Sequence, residues 1–161
     1  MKTDYQIIDL SYLNEISDNN SEIKRALIDI FLSQIPEFES DFQRAFAEKN
    51  WKFLAQVAHK AKSSVLSMGM NNLGSVDLKN LELLSNKFYI NILESNPHLT
   101  DKEKLDLENL KATLNSYPTD RIKWIEENIS ENNIENLIKK FVEICNKASL
   151  ELNCELNELQ Y

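Results

Sequence analysis

Apolar side chains recur along most of this chain at the three- and four-residue intervals of an amphipathic helix. Long stripes of this kind run from Leu27 to Phe46 and from Ile134 to Leu159. Between them, small and aliphatic residues follow a 4-3-4-3 spacing and are expected to form one buried helix face: Leu54, Ala58, Ala61, Val65 and Met68. The pattern predicts an all-α protein.

Turn-forming and capping residues divide the pattern into separate helices. Gly69 follows one apolar stripe and is a typical left-handed C-terminal cap. Thr100-x-x-Glu103 has the spacing of a capping box, which predicts a helix start. A turn is expected over 130–133. We predict helices at about 9–16, 21–49, 51–68, from 72 through 88, 100–116, 118–124 and from 134 onwards.

Four of these predicted helices are long and amphipathic, and short turns join them. Such a pattern is typical of an up-down-up-down four-helix bundle. We interpret residues 1–161 as a single domain, with a short N-terminal helix and a helical insertion at about 85–128 before the last bundle helix.

Composition and charge exclude several classes of function. With two glycines in the whole chain, no glycine-rich phosphate-binding loop can be formed. The net charge of −8, from 18 basic and 26 acidic residues, disfavours binding to nucleic acid and to anionic membrane surfaces. No apolar run of about 18 residues occurs, so we expect no membrane span and a cytoplasmic protein.

The cysteines and histidines do not have the spacing of a metal site. Cys145 and Cys154 lie on opposite faces of one predicted helix, since nine residues rotate by about 900°. They are therefore not expected to pair, and Cys145 is interpreted as a core residue. A di-metal bundle uses Glu-x-x-His pairs, whereas Gln56 and Ser95 precede the two histidines here. We expect no metal and no cofactor.

His59 lies on a second stripe, roughly 100° around the helix from the apolar one, together with Ala55, Lys62 and Leu66. A histidine beside a core can be a structural residue satisfied by its neighbours. It can also be a nucleophile, because an ordinary pKa of about 6.5 leaves the imidazole mostly neutral at cellular pH. Lys62, one turn later, supplies a positive charge that would offset an incoming anionic group.

The motif around His59 resembles the signature of histidine-containing phosphotransfer (HPt) domains. The resemblance extends over roughly 7–82 and resumes in the last helix. It rests on Ala58-His59-x-x-Lys62-x-Ser64, Gly69, Leu73 and Leu81-Glu82, and on Asp9-Leu10-x-Tyr12-Leu13, Phe31 and Glu48-x-x-Trp51 before them.

The resemblance implies that His59 carries a phosphoryl group between receiver-domain aspartates in a multistep phosphorelay, with Lys62 stabilising charge. The implied partners are a response-regulator receiver domain, a hybrid sensor histidine kinase, or both. Such a carrier is not itself an enzyme, because the receiver supplies the aspartate, the metal ion and the transition-state stabilisation. We expect a monomer.

Five residues are candidates for contact with the partner: Ala55, Ser63, Leu66, Ile28 and Leu32. Ser63 stands where the family usually has glycine, so docking over this turn is the point at which the chain departs from the pattern. Two other interpretations remain open. The chain can be a helical adaptor that docks receiver or kinase domains without being phosphorylated, or an unrelated four-helix structural protein. His98, in a loop after Pro97, is expected to be exposed and inert.

Overall fold

The computed structural model describes residues 3–160, and helices make up most of this range. No strand occurs within it, so the predicted all-α class is confirmed. A π-helical segment, Leu73–Leu78, leads directly into the fourth helix. The seven α-helices of the described range are α1 (Ser11–Ile16), α2 (Ser21–Ala47), α3 (Trp51–Ser67), α4 (Lys79–Ser95), α5 (Asp101–Asn115), α6 (Thr119–Asn128) and α7 (Glu131–Glu158).

Side-chain caps mark the starts of α2, α3, α5 and α7. The predicted capping box of α5 is present, since the Thr100 hydroxyl accepts from the Glu103 N–H and the Glu103 carboxylate accepts from the Thr100 N–H. The turn predicted over 130–133 is wrong. Ser130 is instead the N-cap of α7 and accepts from the Asn133 N–H, so the helix begins at Glu131.

α3 lies at the centre of the fold, where it packs against α2, the π-helical segment and α4. α7 contacts α2, α4 and the π-helical segment, so apolar side chains from all of these elements meet in one core. Every residue of the predicted apolar stripe of α3 is buried: Leu54, Ala58, Ala61, Val65 and Met68. The phase predicted for this helix is therefore confirmed.

The buried face of α2 differs from the predicted one at its ends. Leu27 and Phe46 were expected in the core, but both are only partly buried. Ile28 was expected at an apolar rim for a partner; this is wrong, because it is fully buried. α2 packs against α3 and α7, and its buried apolar stripe starts one residue later than predicted. The stripe consists of Ile28, Phe31, Ile35, Phe38, Phe42 and Ala45.

Aromatic side chains join the helices across the core. Phe42 of α2 meets Phe141 of α7 edge-on, with ring centroids 5.1 Å apart. Trp51 at the start of α3 stacks on Phe88 of α4 at 4.4 Å. Cys145 is buried in α7 as predicted, and burial raises the pKa of its thiol to about 12. The Cys145 thiol is therefore protonated and unreactive at neutral pH.

The segment before α1 is held by hydrogen bonds to the ends of α3 and α7. One carboxylate, that of Glu151, accepts the backbone N–H groups of residues 6–8. The Asp9 N–H donates to the Met68 carbonyl at 3.1 Å. Gly69 follows with φ +75°, which lets the chain turn immediately below Asp9.

The segment predicted as an insertion at about 85–128 contains the second half of α4 together with α5 and α6. No residue of α5 is fully buried, and in α6 only Ile125 is. Both helices pack on α4. Among the helices described, none has the length and the apolar character needed to cross a membrane.

Gly69→Ala should lower the free energy of unfolding by about 2 kcal/mol or more. A Cβ at position 69 would overlap the Asp9 carbonyl oxygen, and the positive φ strains any residue other than glycine. The measurement is urea denaturation of both proteins. An unchanged midpoint would contradict the close approach of Asp9 to this turn.

Candidate functional site

The candidate site lies where α3 and α4 run side by side in opposite directions. His59 of α3 meets Glu82 of α4, and Lys52, two turns earlier on α3, meets Tyr89, two turns later on α4. Residues seven apart lie on nearly the same line along a helix. Lys52 and His59 therefore face the same side of the molecule.

A glycine lets the π-helical segment that leads into α4 approach α3 closely. A Cβ on Gly74 would lie 2.7 Å from the Leu66 side chain, so the absence of a side chain leaves room for Leu66. Ala58 and Ala61 are both fully buried on the inner side of α3. This packing holds α3 against α4 and leaves His59 on the outer edge of the contact.

Glu82 binds the two predicted functional residues with its two carboxylate oxygens. His59 Nδ1 lies 3.1 Å from Oε1, and Lys62 Nζ lies 3.3 Å from Oε2. The exposed fractions of the side chains differ, at 67% for His59 but 20% for Lys62 and 15% for Glu82. A largely covered ion pair thus supports an imidazole that extends into solvent.

The contact with Glu82 determines which nitrogen of His59 is available. An ionised carboxylate can only accept hydrogen bonds, so Nδ1 carries the hydrogen. In the neutral ring, Nε2 then has the lone pair. Within residues 3–160, Nε2 has no hydrogen-bond partner. His59 thus has one ring nitrogen in contact with Glu82 and a second ring nitrogen that faces no partner in the described residues.

The partner-contact candidates do not all lie on the accessible surface. Ser63 is exposed, and Leu66 and Leu32 are partly buried. Ala55 is buried, so the prediction that it contacts a partner is wrong. The stripe assignment places it beside His59, but the helices packed on α3 cover this position. Ile28 belongs to the core, as described above.

Lys60 and His98 lie away from the contact with Glu82. The Lys60 ammonium lies 5.9 Å from the centre of the Phe38 ring on α2, on the other side of α3. His98 is exposed in the loop before α5, and its backbone N–H donates to Asn96. Between residues 3 and 160, no three His, Cys, Asp or Glu side chains are grouped in a way that could hold a metal ion.

Sequence reasoning missed the role of Glu82 and a second polar cluster on the same surface. Glu82 was part of the motif but not a candidate site residue.

The second cluster joins Lys52, Tyr89 and Asp106 of α5. The Asp106 carboxylate lies 2.8 Å from Lys52 Nζ and 3.3 Å from the Tyr89 hydroxyl. The hydrogen bond from Lys52 lowers the pKa of Asp106, and the same bond raises the pKa of Lys52. The only signal in the sequence is the seven-residue interval between Lys52 and His59.

In comparisons with protein-family models, with curated proteins and with solved structures, nothing matches this chain.

Glu82→Ala should change the tautomer of His59 without unfolding the protein. With the carboxylate present, the neutral ring carries its hydrogen on Nδ1; without it, the hydrogen is free to move to Nε2. The measurement is the ¹⁵N chemical shifts of the imidazole nitrogens in both proteins, at a pH where the ring is neutral. Glu82→Gln is the matched control, because its amide oxygen can still accept from Nδ1. Identical shifts in the wild type and the alanine variant would show that Glu82 does not select the tautomer.

Proposed function

We propose that this protein is a histidine phosphocarrier of the HPt type, in which His59 exchanges a phosphoryl group with the aspartate of a receiver domain. The observation that carries the proposal is the exposed imidazole of His59, held at Nδ1 by Glu82. A phosphoacceptor needs a lone pair that an incoming protein can reach and a ring that does not rotate away from it. The geometry of this site supports both requirements.

The proposed fold is a four-helix bundle of α2, α3, α4 and α7, with α1 at one end. In support of this arrangement, α2 contacts α3, α3 contacts α4, α4 contacts α7, and α7 contacts α2. These contacts form a closed ring of four neighbouring helices around the core. In this bundle α3 carries the acceptor, and α5 and α6 are additions to the outer side of α4.

In the proposed reaction, the Nε2 lone pair forms a bond to phosphorus as the bond from phosphorus to the aspartate oxygen breaks. The electron pair of the broken bond stays on the aspartate carboxylate. The imidazole gains positive charge, and its Nδ1 hydrogen still faces Glu82. A carboxylate beside a forming imidazolium stabilises it, so Glu82 favours the phosphorylated state as well as orienting the ring.

Lys62 has two roles in this proposal. Its ion pair with Glu82 holds the carboxylate in place, and its ammonium lies one turn from His59 on the same side of α3. The phosphoryl oxygens bring negative charge to a protein whose net charge is already −8. A fixed cation at this position reduces that repulsion. The receiver partner would contribute its own metal ion and the aspartate.

The partner is proposed to approach over the turn of α3 that follows His59. Ser63 is exposed there, and a side chain of its size leaves the approach open. Leu66, one turn beyond Lys62, and Leu32 on α2 are partly buried, and both are proposed to add apolar surface to the docking face. Ser63 thus takes the place of the glycine usual in the family.

His59→Gln should abolish phosphorylation and leave the thermal melting temperature nearly unchanged, because an exposed side chain contributes little to packing. The assay is incubation with phosphorylated receiver domains, followed by detection of an acid-labile, base-stable phosphate. His98→Gln, also exposed, is the matched control and should be phosphorylated normally. Phosphate retained by the His59 variant would exclude it as the acceptor. Receiver binding by a wild-type protein that never becomes phosphorylated would identify an adaptor instead.

Lys62→Ala should slow transfer about fivefold, which corresponds to about 1 kcal/mol, because its charge offsets the phosphoryl group at a partly exposed position. Lys60→Ala removes the same charge from another side of α3, where the ammonium lies over the Phe38 ring. This variant should have a smaller effect on the transfer rate. Transfer rates of both variants are compared under single-turnover conditions. Equal effects would mean that only the net charge matters, not the position of Lys62.

A further inference from the structure

α5 is attached to the same surface that presents His59. Asp106 of α5 binds Lys52 of α3 and the Tyr89 hydroxyl of α4. The exposed fractions are 38% for the Lys52 side chain and 26% for that of Asp106, so the pair lies at the surface and not in the core. Lys52 is on the same line of α3 as His59. α5 therefore forms one boundary of the acceptor surface.

Two contacts, one within α5 and one just after it, define the direction of this helix. Asp106 lies beside Tyr89, and Tyr117, just after α5, lies with its ring 5.3 Å from the ammonium of Lys79 at the start of α4. α5 thus runs opposite to α4 and in the same direction as α3. Its residues after Asp106 advance from the level of Lys52 towards the level of His59.

One polar stripe of α5 faces the side on which α3 lies. Lys102, Asp106, Asn109 and Thr113 follow a 4-3-4 spacing and share one side of the helix. Asp106 defines that side, because it contacts Lys52 of α3. The other three residues are exposed. We call this stripe the α5 edge.

The α5 edge lies within the area that a partner docked on His59 must cover. A stable protein interface buries about 800 Å² on each partner, which corresponds to a patch of about 16 Å radius. Lys52 is seven residues from His59, a distance of about 10 Å along α3. A patch centred on His59 thus reaches Lys52 and, through it, Asp106.

We propose that the α5 edge is part of the docking surface for the receiver domain that exchanges the phosphoryl group with His59, and that it determines which receivers are accepted. The proposal rests on the proposed function. The edge has the exposed, polar character of an interface rim, where charge and hydrogen bonding select among partners. α5 buries no residue completely, yet it is capped at its start and anchored to α3.

The test separates the chemistry of His59 from docking. Phosphoramidate, a small donor that needs no docking surface, measures the reactivity of His59 alone. Phosphorylated receiver domains encoded in the same genome measure docking and transfer together. The variant is Asn109→Arg, which adds a large cation to the α5 edge. Asn115→Arg makes the same change six residues later, about 120° around the helix, at another exposed position.

Asn109→Arg is expected to change the transfer rate for at least one receiver by fivefold or more and to alter the order of preference among receivers. Its melting temperature and its labelling by phosphoramidate should match the wild type. Asn115→Arg should match the wild type in every assay. Thr113→Arg, on the same edge, should reproduce the effect of Asn109→Arg.

Wild-type rates for Asn109→Arg and Thr113→Arg with every receiver would overturn the inference and leave the proposed function intact. A dimer that Asn109→Arg dissociates, with transfer unchanged, would assign the edge to self-association and equally overturn it. If neither phosphoramidate nor any receiver labels His59 in the wild type, the proposed function fails, and the inference fails with it.

Discussion

The close antiparallel contact between α3 and α4 is the constraint on which the rest of the site depends. Gly74, in the π-helical segment that leads into α4, leaves room for Leu66 of α3, and the alanines Ala58 and Ala61 are fully buried on the inner side of α3. The contact between α3 and α4 brings a carboxylate of α4 beside an imidazole of α3, two residues that are 23 positions apart in the chain. A shift of one turn between the helices, about 5.4 Å, would separate Glu82 from His59 and leave both side chains without this partner.

Much of the fold could be predicted from local patterns. The apolar stripe of α3 is buried as its spacing indicates, and the cap at Thr100 and Glu103 forms as its sequence indicates. The same spacing placed His59 next to the core and outside it, where it is found. These predictions succeed because helix periodicity and capping depend on residues within one or two turns of each other. They required no knowledge of how the helices are arranged.

The parts that could not be predicted depend on the register between helices. Ala55 shares a stripe with His59 and is nevertheless buried, because neighbouring helices pack on that part of α3. Ile28 was assigned to a rim, since the sequence does not indicate that α2 packs against both α3 and α7. The contacts of Glu82 with His59 and of Asp106 with Lys52 join residues 23 and 54 positions apart. No periodic pattern within a single helix reports such pairs.

In the proposed function, Glu82 leaves Nε2 of His59 as the nucleophile for a phosphoryl group. The most direct measurement is a ¹H–³¹P correlation spectrum of the protein after labelling with phosphoramidate, which identifies the nitrogen bonded to phosphorus. We expect one phosphohistidine, at His59, with the phosphoryl group on Nε2. A phosphoryl group on Nδ1 of His59, or a protein that acquires no phosphohistidine at this residue, would contradict it.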